Sequence, residues 1–276
     1  MAHILEAIGN RHSIASHRVH IPLISGRSFF RGFATLRPDL TVFPDHLRFA
    51  SRSRNPGPIP HLGKRYDESG KFLSERGNTV VCHLLENSQS AAAILDARAR
   101  YQAMPGADKL AFTAASSLHM TLFQGIIETR RELPYWPADV PVETPVDDMT
   151  AIFMDRLAHF RPGEAFAVGV IHATPNGLTV DGVTQRDRDV LKDWRNRFAD
   201  LLGYRHPDHE TYVFHITFAY MIERFDDVTM AEWVPFLDEI AQDIRRRSPV
   251  IELRAPAFCA FDDMNHFEEL MVFDPE

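Results

Sequence analysis

The chain has 276 residues, of which 45% are hydrophobic and 25% charged, as in folded globular proteins rather than disordered ones. Its formal net charge of −8 argues against a sequence-independent grip on duplex nucleic acid, which depends on many phosphate contacts. Its apolar runs are shorter than the roughly 20 residues that a membrane helix needs, and its N-terminus does not resemble a signal peptide. We therefore expect a cytoplasmic protein without a membrane or an extended nucleic acid duplex as a partner.

Residues 1–62 are predicted to form an N-terminal extension that packs on the main body. This segment ends in a proline-rich run, residues 54–60, which can form neither a regular helix nor a central strand. Proline-rich spacing also resembles a ligand for a partner protein, but an ordinary surface loop is the favoured interpretation.

Residues 63–276 show apolar periodicity and turn residues typical of alternating strands and helices. The predicted strands are 79–85, 116–123, 166–172, a return from 178, 212–219, 250–253 and 269–273, and the predicted helices are 91–104, 146–159, 185–202 and 230–246. Residues 126–146, rich in proline and acidic residues, are predicted to be a long connector that forms either a rim of a site or a plain crossover. The order strand, helix, strand occurs twice, which indicates two related α+β lobes, residues 63–145 and 146–276.

The only two cysteines, Cys82 and Cys259, lie in apolar contexts without CxxC spacing. We expect both to be buried free thiols.

Two of the predicted strands carry the same pattern of a histidine and a threonine two positions apart. The copies are His119-Met120-Thr121-Leu122 and His215-Ile216-Thr217-Phe218. Since successive strand side chains point to opposite faces, each strand presents an imidazole and a hydroxyl side by side and turns its apolar residue toward a core. Two such strands brought together would form a pocket.

The bare His-x-Thr triplet has little weight, because a third copy, His172-Ala173-Thr174, runs directly into the turn Pro175-Asn176-Gly177. We interpret that copy as a chance match. The alternative for the other two copies is a pair of buried core histidines with hydroxyl partners. A zinc hydrolase is a weaker alternative, motivated by the 14 histidines, because neither motif has another ligand type at metal-binding spacing.

Cleavage of a phosphodiester requires a base for the attacking water or hydroxyl and an acid for the departing oxygen. An imidazole titrates near neutral pH and can serve in either role, so two imidazoles that flank a phosphate suffice without a metal. Threonine hydroxyls can donate to the non-bridging phosphate oxygens, where negative charge must be held in the transition state.

The paired motifs resemble the signature of the two-histidine (2H) phosphoesterase superfamily. This resemblance covers residues 63–276 and, with residues 77–84 before the first motif, points to an uncharacterised bacterial branch. It implies a bilobal α+β domain with pseudo-two-fold antiparallel sheets, helices on the outside and a central cleft. Members include RNA 2′-5′ ligase-like proteins and cyclic phosphodiesterases.

We therefore expect a metal-independent phosphodiesterase without a cofactor, in which His119 and His215 share the acid and base roles and Thr121 and Thr217 hold the phosphate. The expected partner is a small nucleotide-like cyclic phosphate, a 2′-5′ linked nucleotide or an RNA end, and the expected state is a monomer. The alternative is a non-catalytic module that binds a phosphorylated nucleotide or RNA end in the same cleft.

Three further side chains are candidate substrate contacts. Phe123 continues the His119 face of its strand and could stack on a base or pack in the core. His83 shares a face with apolar strand neighbours. Tyr220 falls on the opposite face by strict alternation, so a role at the site would need a bulge or a strand end.

Overall fold

The structure is a computed structural model that describes residues 43–275. Within this range the chain has the predicted α+β class, with nine strands and four α-helices. The strands are β1 (Gly77–His83), β2 (Leu110–Phe112), β3 (His119–Phe123), β4 (Val168–Thr174), β5 (Gly177–Gly182), β6 (Phe214–Thr217), β7 (Ala219–Met221), β8 (Ala257–Asp263) and β9 (His266–Val272). The helices are α1 (Gln89–Gln102), α2 (Val146–Leu157), α3 (Gln185–Leu202) and α4 (Asp227–Arg247). None of these helices is long and apolar enough to cross a bilayer.

Seven of the strands form one antiparallel sheet in the order β4-β5-β6-β3-β1-β8-β9, and β2 pairs with β7 separately. The two strands that carry the His-x-Thr motifs, β3 and β6, are therefore neighbours at the centre of the sheet. The C-terminal strands β8 and β9 pair at the side of β1, which belongs to the predicted first lobe, and not at the side of β4, β5 and β6. The division into two lobes by chain order stays a prediction.

Capping residues mark the ends of two of the helices. Helix α3 begins with a capping box, in which Thr184 and Asp187 each accept from the other's backbone N–H, and it ends at Gly203, whose φ is +84°. Helix α4 begins at residue 227 rather than at the predicted residue 230, because the carboxylate of Asp226 caps its first turn.

The helices cover one face of the large sheet. Met120 and Ile216 point to this face and are fully buried in one core with Trp194 of α3 and Trp233 of α4. Full burial of an apolar side chain of this size contributes about 1.5–3 kcal/mol. Because strand side chains alternate, the burial of these two residues turns the histidine and threonine of each motif to the opposite face.

The opposite face of the sheet holds a smaller apolar cluster on β1, β8 and β9. Val81, Cys259, Phe261 and Phe267 of these strands are buried in this cluster. Cys82 points to the other core, and both cysteines are buried free thiols as predicted.

Residues 43–62, the described part of the predicted extension, contact the main body. The guanidinium of Arg224 donates to the backbone carbonyls of Phe49 at 2.9 Å and Pro58 at 3.0 Å. The packing of the extension as a whole stays a prediction, because residues 1–42 lie outside the described residues.

The predicted strand at residues 250–253 is wrong. Ile251 and Leu253 make only isolated bridges, to Val168 and Leu84 respectively. The segment passes from β4 toward the end of β1, and these two strands are not neighbours in the sheet. It therefore forms only one bridge on each side and no continuous ladder. The sequence analysis also missed β8 and the three-residue strands β2 and β7, which are too short to show a period.

Candidate active site

The register of the two central strands brings the two motifs face to face. Met120 pairs with Ile216 in the antiparallel β3–β6 ladder, so His119 lies opposite Thr217 and Thr121 lies opposite His215. Directly opposed residues have Cβ atoms about 4.5–5.5 Å apart, and diagonal neighbours such as the two histidines are roughly 7–8 Å apart. That separation leaves room for a phosphate between two imidazoles.

The four motif side chains line one cavity of about 680 Å³ on the sheet face opposite the helices. Each imidazole is oriented by the same local contact. Nδ1 of His119 lies 2.6 Å from the carbonyl oxygen of Ser117, and Nδ1 of His215 lies 2.9 Å from that of Val213. A carbonyl can only accept, so both Nδ1 atoms carry the proton and both Nε2 atoms are left to accept from or donate to a ligand.

His119 is the more enclosed of the two imidazoles. Phe267 lies edge-on against its ring at 4.2 Å between centroids, and His83 follows at 5.9 Å. Burial lowers the pKa of His119 to about 3, the bond to Ser117 opposes that shift, and the nearby His83 and His215 add to it. His119 is therefore neutral at pH 7 in the free protein.

His215 is exposed at the open side of the cavity, although neighbouring walls still remove part of its water. This desolvation lowers its pKa below the ordinary value of 6.5, while the bond to Val213 and the negative charge of Asp208 act in the other direction. The two motifs thus hold their histidines in the same tautomer but in different environments.

The described part of the cavity wall differs in charge from the chain as a whole. No Asp or Glu is among the described residues that line it, whereas 38 of the 276 residues of the chain are acidic. The wall contains three guanidinium groups, from Arg65, Arg130 and Arg224, besides the two motif histidines. In a protein with a net charge of −8, this distribution favours an anionic ligand in the cavity.

Among residues 43–275, no group of three or more His, Cys, Asp or Glu side chains is arranged to hold a metal ion.

The three further candidates have different positions. Tyr220 lines the cavity and accepts from Arg65 at 3.4 Å. Strict alternation fails there because the chain leaves the ladder at Phe218, between β6 and β7. His83 pairs with His119 across β1 and β3 but lies behind it, 3.0 Å from Glu269, rather than in the wall.

Phe123 lies outside the cavity wall. It is buried in the helix-side core, against Phe198 of α3 and Tyr204. In the β1–β3 ladder Val80 pairs with Phe123 and Val81 pairs with Thr121, so β3 has one extra residue that reverses the faces beyond Thr121.

The sequence analysis missed two sources of cavity residues. The first is the segment before the main body, which contributes His46, Phe49 and His61 among others. The second is the connector, which contributes Arg130. Neither segment shows strand or α-helix periodicity in its sequence, and the motif strands give no signal of which residues from elsewhere in the chain cover them.

Comparison with known proteins found one family model and a related crystal structure. A family model described as "2H-phosphodiest: Domain of unknown function (DUF1868)" matches residues 65–179, which contain the first motif. The structure also resembles a crystal structure of a conserved protein of unknown function, ATU0111, from Agrobacterium tumefaciens str. C58. The TM-score is 0.82 at 48% sequence identity, over 84% of this chain and 100% of that chain. None of the curated proteins compared with the chain matches it.

The chain therefore belongs to the two-histidine phosphoesterase superfamily, within the branch that the DUF1868 family model describes. This confirms the resemblance found in the sequence. The name of the family supports phosphodiesterase chemistry in general.

Proposed function

We propose that the protein is a metal-independent phosphodiesterase that hydrolyses a cyclic phosphodiester, or a 2′-5′ linked nucleotide or RNA end, by acid–base catalysis between His119 and His215. The observation that carries the proposal is the Met120–Ile216 pair of the antiparallel β3–β6 ladder, whose register sets His119 opposite Thr217 and Thr121 opposite His215. Two imidazoles and two hydroxyls thus line one cavity, and no carboxylate is among the described residues of its wall.

His119 is assigned as the base and His215 as the acid for hydrolysis. A base must be unprotonated before the reaction, and the low pKa of His119, about 3, keeps it so. An acid must carry a proton, and His215, at the open side of the cavity with the charge of Asp208 nearby, is the easier of the two to protonate. A bound phosphate anion would favour the protonated form of His215 further.

In the chemical step, Nε2 of His119 takes a proton from water while the water oxygen forms a bond to phosphorus. The bond between phosphorus and the leaving oxygen breaks, and that oxygen takes the proton from Nε2 of His215. A cyclic phosphate thus becomes a phosphate monoester beside a free hydroxyl. Exchange of one proton with solvent at each histidine restores the starting state.

Thr121 and Thr217 are assigned to the non-bridging phosphate oxygens. Each lies directly opposite a catalytic histidine, so a phosphate that contacts both Nε2 atoms lies within reach of both hydroxyls. Their O–H groups would strengthen their hydrogen bonds as charge builds on those oxygens, which is where stabilisation accelerates the reaction.

The test is a substrate panel in EDTA: nucleoside 2′,3′-cyclic phosphates, ADP-ribose 1″,2″-cyclic phosphate and 2′-5′ linked dinucleotides, with a 3′-5′ linked dinucleotide as the reference. Phosphorus NMR distinguishes the monoester product from the cyclic diester. Turnover of at least one substrate at an unchanged rate in EDTA supports the proposal. Salt-sensitive binding of these ligands without turnover would instead indicate the binding module.

A further inference from the structure

One guanidinium in the cavity wall has no hydrogen-bond partner among the residues that the structure describes. Arg130 lines the cavity, but none of its side-chain nitrogens makes a hydrogen bond or an ion pair with a residue that the structure describes, and its Nε is buried. A buried donor without an acceptor is costly in a native protein and calls for a ligand or another explanation.

The other two arginines of the wall are already engaged. Arg65 donates to Glu75 and to the hydroxyl of Tyr220, and Arg224 donates to backbone carbonyls. Of the three described arginines in the wall, Arg130 is therefore the one whose guanidinium N–H groups are not used by the protein. These planar donors can bind two oxygens of one phosphate.

Arg130 is nevertheless held in place. Its guanidinium stacks on the ring of Tyr135 at 4.0 Å, a contact that uses none of its N–H groups. The edge of Tyr135 meets His206, with 5.0 Å between centroids, and Nδ1 of His206 lies 2.6 Å from Oε1 of Gln124. Gln124 follows β3 directly, so these contacts fix Arg130 relative to the strand of the first motif.

We infer that Arg130 binds a second phosphate of the substrate, separate from the phosphodiester that the two histidines cleave. This inference rests on the proposed function for the identity of the first phosphate. The substrate class is then a cyclic phosphodiester that carries another phosphate, such as a 5′-phosphate, a pyrophosphate or the next internucleotide phosphate. A mononucleoside cyclic phosphate without that group would leave Arg130 unpaired and be a poorer substrate.

The kinetic test compares adenosine 2′,3′-cyclic phosphate with its 5′-phosphorylated form. We expect the wild type to prefer the second by about tenfold or more in kcat/KM, since a charged hydrogen-bonded pair is exchanged for an unpaired donor. Arg130→Gln abolishes this preference, which is a ratio of two kcat/KM values and so does not depend on any loss that both substrates share, and Arg130→Lys restores part of it. Lys64→Gln, which removes an exposed cation outside the wall, is the matched control and keeps the preference.

ADP-ribose 1″,2″-cyclic phosphate and a dinucleotide with a 2′,3′-cyclic end then identify the source of the second phosphate. The substrate whose kcat/KM falls most in Arg130→Gln is the one whose second phosphate lies where Arg130 can bind it. Equal kcat/KM for the two adenosine compounds and for all variants would overturn the inference and leave the proposed function intact.

A binding experiment separates this inference from the catalytic proposal. In a variant with both motif histidines changed to Ala, we titrate adenosine 2′,5′-bisphosphate and adenosine 2′-phosphate, with and without Arg130→Gln. Tighter binding of the bisphosphate that Arg130→Gln removes supports the second site even if no substrate is turned over. Equal affinities in both backgrounds would overturn it.

Discussion

His119 and His215 are alike in local structure and unlike in surroundings. Each donates Nδ1–H to the backbone carbonyl two residues earlier in the chain. The difference comes from the neighbours: Phe267 encloses one ring, whereas the other lies at the open side. Different environments around two like groups are a general way to separate an acid from a base.

The assignment of His215 as the acid has a consequence for the pH dependence. Its folded pKa lies below 6.5, so in the free protein its proton is lost as pH rises through that lowered value, while His119, with a pKa of about 3, stays unprotonated. We expect kcat/KM to fall about tenfold per pH unit on the alkaline side of this transition. A profile measured from pH 4.5 to 8.5 checks this, and a kcat/KM that rises from pH 6 to pH 8 would reverse the two roles.

At the scale of elements, the turn between β4 and β5 explains why β5 can pair so closely with the motif strand β6. Gly177 begins β5 with φ of +136°, and a Cβ there would lie 2.1 Å from the carbonyl oxygen of Ile216. Only glycine permits this approach. The sequence signal Pro175-Asn176-Gly177 thus reports a turn and also a steric condition for the β5–β6 pairing beside His215.

The segment 43–62 contributes to the cavity wall and depends on one buried side chain. The Arg224 guanidinium donates hydrogen bonds to the backbone carbonyls of Phe49, Gly57 and Pro58. We expect Arg224→Met to destabilise the protein by about 1–3 kcal/mol in urea unfolding, because these acceptors lose a charged donor. Limited proteolysis should then cut within residues 43–62.

Arg52→Met is the control for this variant. Arg52 ties the same segment to Glu223 and Asp226 through exposed ion pairs, which contribute about 1 kcal/mol or less. If both variants unfold at the same urea concentration and resist the protease as the wild type does, Arg224 is not what holds the segment.

The elements that could be predicted from sequence are those with local causes. The bounds of α3 follow from Thr184 and Gly203, and the shared face of His119 and Thr121 follows from strand alternation. The position of Phe123 could not be predicted, because it depends on an extra residue opposite Val80 that only the pairing reveals. The wall loops could not be predicted either, because their positions are set by tertiary contacts such as those of Arg224.

For the whole molecule, the separation of charge is the main finding. The chain carries eight more acidic than basic side chains, yet its described cavity wall has none of the acidic ones. We expect the net negative charge to disfavour non-specific contact with nucleic acid, whereas a wall without carboxylates among its described residues favours a small anion in the cavity. Composition alone indicates only the first of these properties.

Buried neutral histidines should make the fold sensitive to acid. Burial lowers the pKa of His206 to about 3, so below pH 6.5 the unfolded chain binds a proton that the folded chain does not. Its contribution to stability is full above pH 6.5 and is lost as pH falls toward 3. Between pH 7 and pH 5 the free energy of unfolding falls by about 2 kcal/mol through this histidine. His206→Asn keeps a donor for Gln124, and we expect its free energy of unfolding to fall by about 2 kcal/mol less than that of the wild type over the same range.

Urea unfolding of both proteins at pH 7 and pH 5 measures this difference. His159→Asn, at an exposed histidine, is the control and should follow the wild type. An equal loss of stability in His206→Asn and the wild type would contradict a buried neutral His206.

The central claim is that two histidines on adjacent strands act as one catalytic unit, and single and double substitutions test it most directly. With the best substrate of the panel in EDTA, we expect His119→Ala and His215→Ala each to lower kcat by about 10²–10⁴, and the double variant to lose far less than the product of the two. His172→Ala, from the third triplet, should stay within about twofold of wild type. Unchanged turnover in the double variant would contradict the claim.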